Sequence, residues 1–230
     1  MNYFSHAHRW LDRDDCDPYW LAGLAVPDWL GVVARRTKCR TKHVESEFDS
    51  NDPRLAALAR GVAQHHDDDR WFHESRAFVE LNLQFSQAIV EACDERTDLR
   101  AGFLAHIVVE LLLDDVLVGA EPERLDHYYH FMSQLDSEWV AGEIARMAGK
   151  PVGRLAEFIE KYVELRFIAD YAEDRLLLFR LNQVMSRVRL EGLPDCFAKL
   201  LPGFREQIAE RAGELVLAPP AARTFWPPSA

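Results

Sequence analysis

The chain has little of what marks several large protein classes. Only four of its 230 residues are cysteine, and they are scattered without a CxxC pair or close spacings. In a chain this long, that scatter predicts free cytosolic thiols and not a disulfide framework. Uninterrupted apolar runs of about eighteen residues are missing, so we expect no membrane span. The first ten residues lack a basic start followed by an apolar core, so we expect no secretory signal and a cytoplasmic location.

An excess of positive charge is missing as well. Lys and Arg number 27 against 38 Asp and Glu, which gives a formal net charge of -11. A molecule with this charge repels polyanions, which argues against general binding to nucleic acid or to anionic membranes.

Alternation of the β-strand type is scarce, whereas helical periodicity of apolar residues continues through almost the whole chain. We therefore predict an all-α protein: a single-domain helical bundle over residues 1–217, followed by a Pro-rich tail over 218–230. In that tail, Phe225 and Trp226 offer apolar contacts to the domain itself or to a partner. A first helix is expected to begin near Pro18, to be interrupted at Pro27 and to resume at Asp28. Further helices are expected from Pro53 after the N-cap Asp52, and over 74–93, 98–118, 122–148, 153–169, 172–191 and 195–214, with a loop over 36–51.

The most apolar stretch, LRAGFLAHIVVELLLDDVLVGA, carries His106 and Glu110 one helical turn apart. Side chains at this spacing point the same way from a helix. Burying a carboxylate without compensation is costly, so Glu110 needs a cation, a hydrogen-bond network or a metal beside it. All nine histidines fall within the first 130 residues. We interpret this concentration as favouring a metal.

Side chains of the metal-ligand type recur at four places along the first half of the chain. The set consists of His6, Asp28, His65, Asp69, His106 and Glu110. The pairs His65/Asp69 and His106/Glu110 each present two ligands on one helix face, as metal sites carried by helices do. Six such ligands suffice for a centre of two metals with open positions for water and substrate. The alternative is that these are unrelated polar residues, hydrogen-bonded in the core or solvated at a helix end.

Four short blocks resemble the bacterial acyl carrier protein phosphodiesterase family. They are MNYFSHAH, LAGLAVPDWLG, GVAQHHDDDRWFH and AGFLAHIVVELLLDDVL, in the family's order and with similar spacing over roughly the first 120 residues. Members of that family resemble the HD-domain metal-dependent phosphohydrolases, which are helical bundles that use divalent metal. They remove the phosphopantetheine arm from a carrier protein by hydrolysing a phosphodiester. The resemblance implies the same fold, the six ligands above, a phosphodiester-containing substrate and an acidic carrier protein as a candidate partner.

The chain departs from the family pattern in the third and fourth blocks. His106 and Glu110 stand where the family has two Asp residues, and Leu111 follows where it has His. His66 and His73 replace an Arg and an Asp. A site richer in imidazole favours zinc or iron over manganese. We therefore expect one divalent metal ion or two, with zinc, manganese and iron all open.

Further residues are candidates for roles beside the metal. His66, Asp68 and His73 are the candidate catalytic residues for proton transfer, and His8 is a candidate to support the ligands. Arg35, Arg36, Lys38 and Arg40 form a basic segment in an acidic chain. This segment is either a substrate-binding patch that attracts phosphate or a solvated loop.

Several functions remain open beside a phosphodiesterase. The PD motif and the A-H-x-x-x-acid helix also resemble zinc-dependent phospholipase C-like hydrolases. Some HD-like helical proteins are iron-dependent oxygenases, and the altered fourth block is compatible with a catalytically inactive helical adaptor. The C-terminal half over 122–214 lacks any ligand cluster, so we expect it to act as a scaffold or as the surface of a homodimer.

Overall fold

The computed structural model describes residues 1–93 and 99–226, and no strand occurs among them. The prediction of an all-α protein is confirmed. Within these described residues, twelve α-helices follow one another: α1 Tyr3–His8, α2 Pro18–Val33, α3 Thr41–Val44, α4 Pro53–Glu74, α5 Arg76–Ala92, α6 Ala101–Ala120, α7 Pro122–Met132, α8 Ser137–Ala148, α9 Leu155–Leu165, α10 Asp174–Arg187, α11 Asp195–Ala198 and α12 Leu201–Val216. The same two ranges also contain 3-10 helices at Glu45–Glu47 and Phe167–Ala172.

The chain divides into two compact units, each built from separate stretches of sequence. Unit 1 combines Met1–Trp71, Pro122–Arg166 and the segment that begins at Ala218. Unit 2 combines Phe72–Glu121 and Phe167–Leu217. The boundary inside the first half falls within α4, so this helix contributes residues to both units. A single domain over 1–217 stays a prediction.

Aromatic side chains fill the core of unit 1. Trp29 and Tyr3 both pack edge-on against Tyr162, with ring centroids 5.4 Å and 5.0 Å away. The hydroxyl groups of Tyr128 and Tyr162 lie 2.8 Å apart, which satisfies two polar groups in an otherwise apolar environment. These rings fix α1, α2, α7 and α9 around one centre.

Two glycines allow helices α2 and α4 to approach within unit 1. A Cβ atom on Gly23 would lie 2.3 Å from the carbonyl oxygen of Leu58, and one on Gly61 would lie 2.3 Å from the carbonyl oxygen of Trp20. Real Cβ atoms do not come this close to backbone, so only glycine is compatible with the crossing. The crossing brings Leu24 on α2 beside His65 on α4.

The segment after α12 packs on unit 1. Trp226 stacks on Trp10 at a centroid distance of 5.2 Å and meets the edge of Trp20 at 4.7 Å. The backbone N–H groups of Arg223 and Phe225 donate to the side chains of Asp67 and Gln64 on α4. The Phe225 ring lies 5.6 Å from that of Phe48, so the predicted apolar contact of Phe225 and Trp226 with the chain's own domain is present. Residues 227–230 of the predicted tail lie outside the described residues.

Unit 2 is a set of helices around α6. Phe85 on α5 and Phe204 on α12 stack with centroids 3.9 Å apart, and Arg205 donates to both Asp115 and Asp174. The Cys93 and Cys196 sulfur atoms form a disulfide, with Cα atoms 5.9 Å apart. The expectation of four free thiols is therefore wrong for this pair, because residues separated by 103 positions meet only through tertiary packing. Cys16 and Cys39 are free.

Several predicted helix limits are wrong in ways that local interactions explain. Helix α2 continues through Pro27 to Val33, since its buried faces hold it although one backbone hydrogen bond is lost. The region 122–148 is two helices, because the Asp136 carboxylate caps α8 by accepting from Trp139 N–H. The helices expected over 153–169 and 195–214 are each divided as well, and α3 lies within the expected loop over 36–51. The expected start of α6 at residue 98 lies outside the described residues.

None of the helices in the described ranges combines the length and the apolar character that a membrane span requires.

Candidate metal centre

His6, Asp69 and His65 form a cluster in unit 1, called here the unit 1 cluster. Each contributes one ligand atom, and the three atoms lie within 4.8 Å of one another. His6 Nε2 lies 3.3 Å from Asp69 Oδ1, and His65 Nε2 lies 3.3 Å from Asp69 Oδ2. The two imidazole rings stack at a centroid distance of 4.1 Å. Both edges of one carboxylate therefore face an imidazole nitrogen.

Helix α4 supplies two of these ligands, and α2 orients one of them. His65 and Asp69 are four residues apart, which places them on one face of α4. His65 Nδ1 lies 2.7 Å from the carbonyl oxygen of Leu24. A carbonyl only accepts, so Nδ1 carries a proton, and Nε2 is the ring nitrogen that faces Asp69. This is the arrangement in which metal-binding histidines are held by their second ring nitrogen.

His6 comes from the short helix α1 and is fully buried. Its Nδ1 atom lies 3.7 Å from Asp68 Oδ2, on the opposite side of the ring from Asp69. Among the described residues, neither ring nitrogen of His6 makes a hydrogen bond of acceptable geometry. A buried imidazole in this state is costly unless a further group completes its environment. A cation between His6 and Asp69 would do so.

Asp68 supports the cluster from behind His6. Its Oδ1 atom accepts from Arg9 at 2.5 Å, from Gln64 at 2.8 Å and from Trp71 at 3.3 Å. The carboxylate is thus held by three donors and faces His6 with its other oxygen. This predicted catalytic residue occupies a position that orients a ligand. His8, the other supporting candidate, lies against Arg124.

Charges around the cluster shift the pKa values of two members. Burial acts to lower the pKa of His6, but the carboxylates of Asp68 and Asp69 outweigh it and raise that pKa above 6.5. Burial acts to raise the pKa of Asp69, yet the Met1 amino group, 2.9 Å away, and the two imidazoles hold it well below 3.8. Protonation of His6 and binding of a cation at the cluster therefore compete.

The separations suit a metal of the zinc class. When two atoms each lie about 2.0–2.1 Å from a tetrahedral zinc ion, they are about 3.3 Å apart. In the unit 1 cluster each imidazole lies 3.3 Å from a different oxygen of Asp69, His6 from Oδ1 and His65 from Oδ2. Two nitrogens and one carboxylate are donors that zinc and iron accept readily. His6, His65 and Asp69 therefore fit a divalent metal.

A cavity of about 230 Å³ opens beside this cluster within unit 1. Asp28, His65, His66 and Asp69 line it. Asp28, the remaining predicted ligand from this part of the chain, therefore borders the same space as two cluster members. His66 Nε2 donates to the Cys39 carbonyl at 2.7 Å, and burial lowers the pKa of His66, so this ring is neutral with Nδ1 as a proton acceptor.

Two of the four predicted substrate-binding residues in the basic segment line this cavity. Lys38 and Arg40 line it together with Thr37. Arg35 and Arg36, the two other predicted substrate-binding residues, are exposed and are not part of its lining. Positive charge therefore reaches the space next to Asp69 from two of the four predicted positions.

Unit 2 holds a second cluster of the same kind, formed by His73, His106 and Glu110 and called here the unit 2 cluster. Its three ligand atoms also lie within 4.8 Å of one another. The sequence predicted His106 and Glu110 as ligands but gave His73 a catalytic role. A usable signal existed, because His65, Asp69 and His73 follow one another at intervals of four residues on α4. Glu110 is half-buried. Burial acts to raise its pKa, but the hydrogen bonds of His106 and His73 help to hold that pKa below its usual 4.5.

No family model, no curated protein and no solved structure matches this chain.

Proposed function

We propose that the protein is a metal-dependent phosphohydrolase that cleaves phosphodiesters at the unit 1 cluster. The resemblance to acyl carrier protein phosphodiesterases suggested this activity, with an acidic carrier protein as candidate partner. The observation that carries the proposal is a single cavity lined both by metal-ligand side chains, Asp28, His65 and Asp69, and by the cations Lys38 and Arg40.

Each residue at the cavity has a separate role in the proposed hydrolysis. His6, His65 and Asp69 would hold a divalent cation, which would supply Lewis-acid chemistry for activating water and neutralising phosphate charge. Lys38 and Arg40 bind the anionic oxygens of the substrate and orient the phosphorus. Neutral His66 accepts a proton at Nδ1, since its Nε2–H is engaged by the Cys39 carbonyl. Asp68 and the Leu24 carbonyl keep the two imidazoles in position.

The size of the cavity limits what enters it. Pockets that enclose a drug-sized ligand measure about 300–1,000 Å³, whereas this one measures about 230 Å³. It accommodates a phosphate group and a small part of what is attached. The remainder of the substrate therefore stays outside, as the arm of a carrier protein would.

A chromogenic phosphodiester, bis(p-nitrophenyl) phosphate, tests the activity. The protein is stripped with a chelator, loaded with zinc, manganese or iron in turn, and assayed for release of nitrophenol. We expect metal-dependent hydrolysis, and a kcat at least about 100-fold lower in Asp69→Asn and His65→Gln. His130→Gln, which changes an exposed histidine of unit 1, serves as the control. Hydrolysis that survives Asp69→Asn, or that never depends on metal, contradicts the proposal.

The basic segment offers a matched comparison within six residues. Lys38→Ala and Arg40→Ala should raise KM about 10-fold or more, because each removes a charge that lines the cavity. Arg35→Ala and Arg36→Ala remove the same charge from positions outside the lining and should change KM much less. Equal effects at all four positions would mean that the segment acts only through long-range attraction, which the KM measured at about 0.5 M salt would reveal.

A further inference from the structure

The unit 2 cluster has the contacts of a metal site in its own right. His73 Nε2 lies 3.1 Å and His106 Nε2 lies 3.3 Å from the same oxygen, Oε1 of Glu110. The two imidazole rings are 4.7 Å apart and inclined by 32°. Three ligand atoms from different residues therefore lie within 4.8 Å of one another.

Buried aromatic rings hold the two imidazoles in this orientation. Phe78 packs edge-on against His73 and against His106, with centroid distances of 4.9 Å and 5.0 Å. Phe72 contacts His73 at 5.2 Å. Because Phe72 and Phe78 are themselves buried, the rings of the two histidines have little freedom to turn. The site is preorganised before any ion arrives.

The imidazoles of the cluster are more exposed to solvent than its carboxylate. The Glu110 side chain is 13% exposed, whereas those of His73 and His106 are 30% and 36% exposed. Solvent thus reaches the imidazole side of the cluster. Two histidines and one glutamate with an open position are the ligand set of several catalytic zinc sites, in which water takes the fourth place.

We propose that His73, His106 and Glu110 form a second divalent-cation site with a zinc-type ligand set and an open coordination position. Imidazole nitrogens favour zinc over magnesium or calcium, which prefer sites made of oxygen. The phosphohydrolase proposal requires only the unit 1 cluster, so this site stands or fails separately. A hydrogen-bonded trio without metal affinity is the competing interpretation, and it predicts a different stoichiometry.

Zinc stoichiometry decides between them. Chelator-treated protein is dialysed against buffered free zinc, and bound metal is counted by mass spectrometry. We expect two zinc ions per chain in the wild type, one for each cluster. Glu110→Gln and His73→Gln should each retain one, as should Asp69→Asn, and the double variant Asp69→Asn/Glu110→Gln should retain none. His130→Gln is the control and should retain both.

The outcomes separate the two proposals. One zinc ion in the wild type, with the same count in Glu110→Gln, overturns the second site. Loss of both ions in a folded Glu110→Gln protein also overturns it as a separate site. His73→Gln is the second variant, for use if Glu110→Gln does not fold, because His73 lies in the last turn of α4 and is partly exposed. Asp69→Asn could also bind one zinc ion fewer and yet keep its hydrolytic activity. In that case the phosphohydrolase proposal fails and the second site stands.

Cobalt provides an independent signal. Co²⁺ replaces zinc and gives visible absorption bands that report its ligands and coordination number. The spectrum of the wild type should contain two components, of which Glu110→Gln removes one and Asp69→Asn the other. A spectrum that Glu110→Gln leaves unchanged would contradict ligation by Glu110.

Discussion

His65 Nδ1 lies 2.7 Å from the carbonyl oxygen of Leu24, and this contact links the orientation of a candidate ligand to the packing of two helices. Leu24 follows Gly23 on α2, and His65 lies one turn beyond Gly61 on α4. The absence of side chains at these two glycines allows the helices to approach. The state of the imidazole is thus set by backbone packing as well as by its neighbours in the cluster.

Replacing Gly61 with alanine should therefore disrupt the unit 1 cluster although none of its three ligands is changed. The new Cβ would lie 2.3 Å from the Trp20 carbonyl, so α2 and α4 must separate. We expect the free energy of unfolding to fall by about 1–3 kcal/mol. Zinc affinity, measured by competition with a fluorescent chelator, should fall as well, because the Leu24 carbonyl moves away from His65.

Gly142→Ala is the matched control, since Gly142 lies inside α8 of unit 1 with no atom within 4 Å of a built Cβ. There the substitution should stabilise the protein by about 0.5–1 kcal/mol and leave zinc affinity unchanged. If Gly61→Ala behaves like this control, the packing argument is wrong.

The raised pKa of His6 predicts a pH dependence of stability. Protonated His6 stabilises the metal-free fold fully below the unfolded value of about 6.5, and this contribution is lost as pH rises through the higher folded value. The melting temperature of metal-free protein should therefore decrease from about pH 6.5 upward. Zinc displaces the proton, so zinc affinity should instead increase over the same range. His6→Gln should flatten the metal-free profile; an unchanged slope would assign the effect elsewhere.

The Cys93–Cys196 disulfide should stabilise the protein measurably. It closes a loop across 103 positions, and crosslinks of this kind typically contribute about 2–4 kcal/mol. Reduction, or the variant Cys93→Ser, should lower the denaturant midpoint accordingly. Cys16→Ser is the control, because Cys16 is free. The denaturant midpoint of this variant should respond to reductant as that of the wild type does.

The two free thiols should be inert in the native protein. Burial raises the pKa of Cys16 and of Cys39 to about 12, so neither forms much thiolate at neutral pH. Alkylation by iodoacetamide, followed by mass spectrometry, should be slow before unfolding and fast after it. Rapid native labelling of Cys39 would show that the cavity wall opens.

Trp226 should anchor the C-terminal segment to unit 1. It stacks on Trp10, meets Trp20 edge-on and donates its indole N–H to Asp15. Trp226→Ala should cost about 1–3 kcal/mol of unfolding free energy and shift tryptophan fluorescence to longer wavelength. Arg223→Ala should cost about 0.5 kcal/mol or less, since Arg223 reaches Asp67 through its backbone. Equal losses in both variants would contradict the anchoring role of the indole.

Local signals predicted the helices and two of the three ligands in each cluster. Apolar periodicity follows directly from helical geometry, and so do the pairs His65/Asp69 and His106/Glu110. Limits such as that at Asp136 were missed because one capping hydrogen bond overrode a periodic pattern that continued past it.

The remaining features depend on contacts between distant residues. His6 meets Asp69, and His73 meets Glu110, only after helices pack. The same holds for Cys93 and Cys196. Spacing along one sequence names candidate ligands, but it does not assign them to one group or to two, and here His73 stands with His106 and Glu110.

The discontinuous make-up of unit 1 affects how the chain matures on the ribosome. Residues 1–71 and 122–166 emerge before the segment that begins at Ala218. In the interval, the indoles of Trp10 and Trp20 lack the Trp226 ring that packs on them, and Gln64 and Asp67 lack two backbone donors. Gln64 is also a donor to Asp68, which faces His6. The surroundings of His6 are therefore completed only when the segment that begins at Ala218 has been made, even though the ligand partners of His6 are synthesised first.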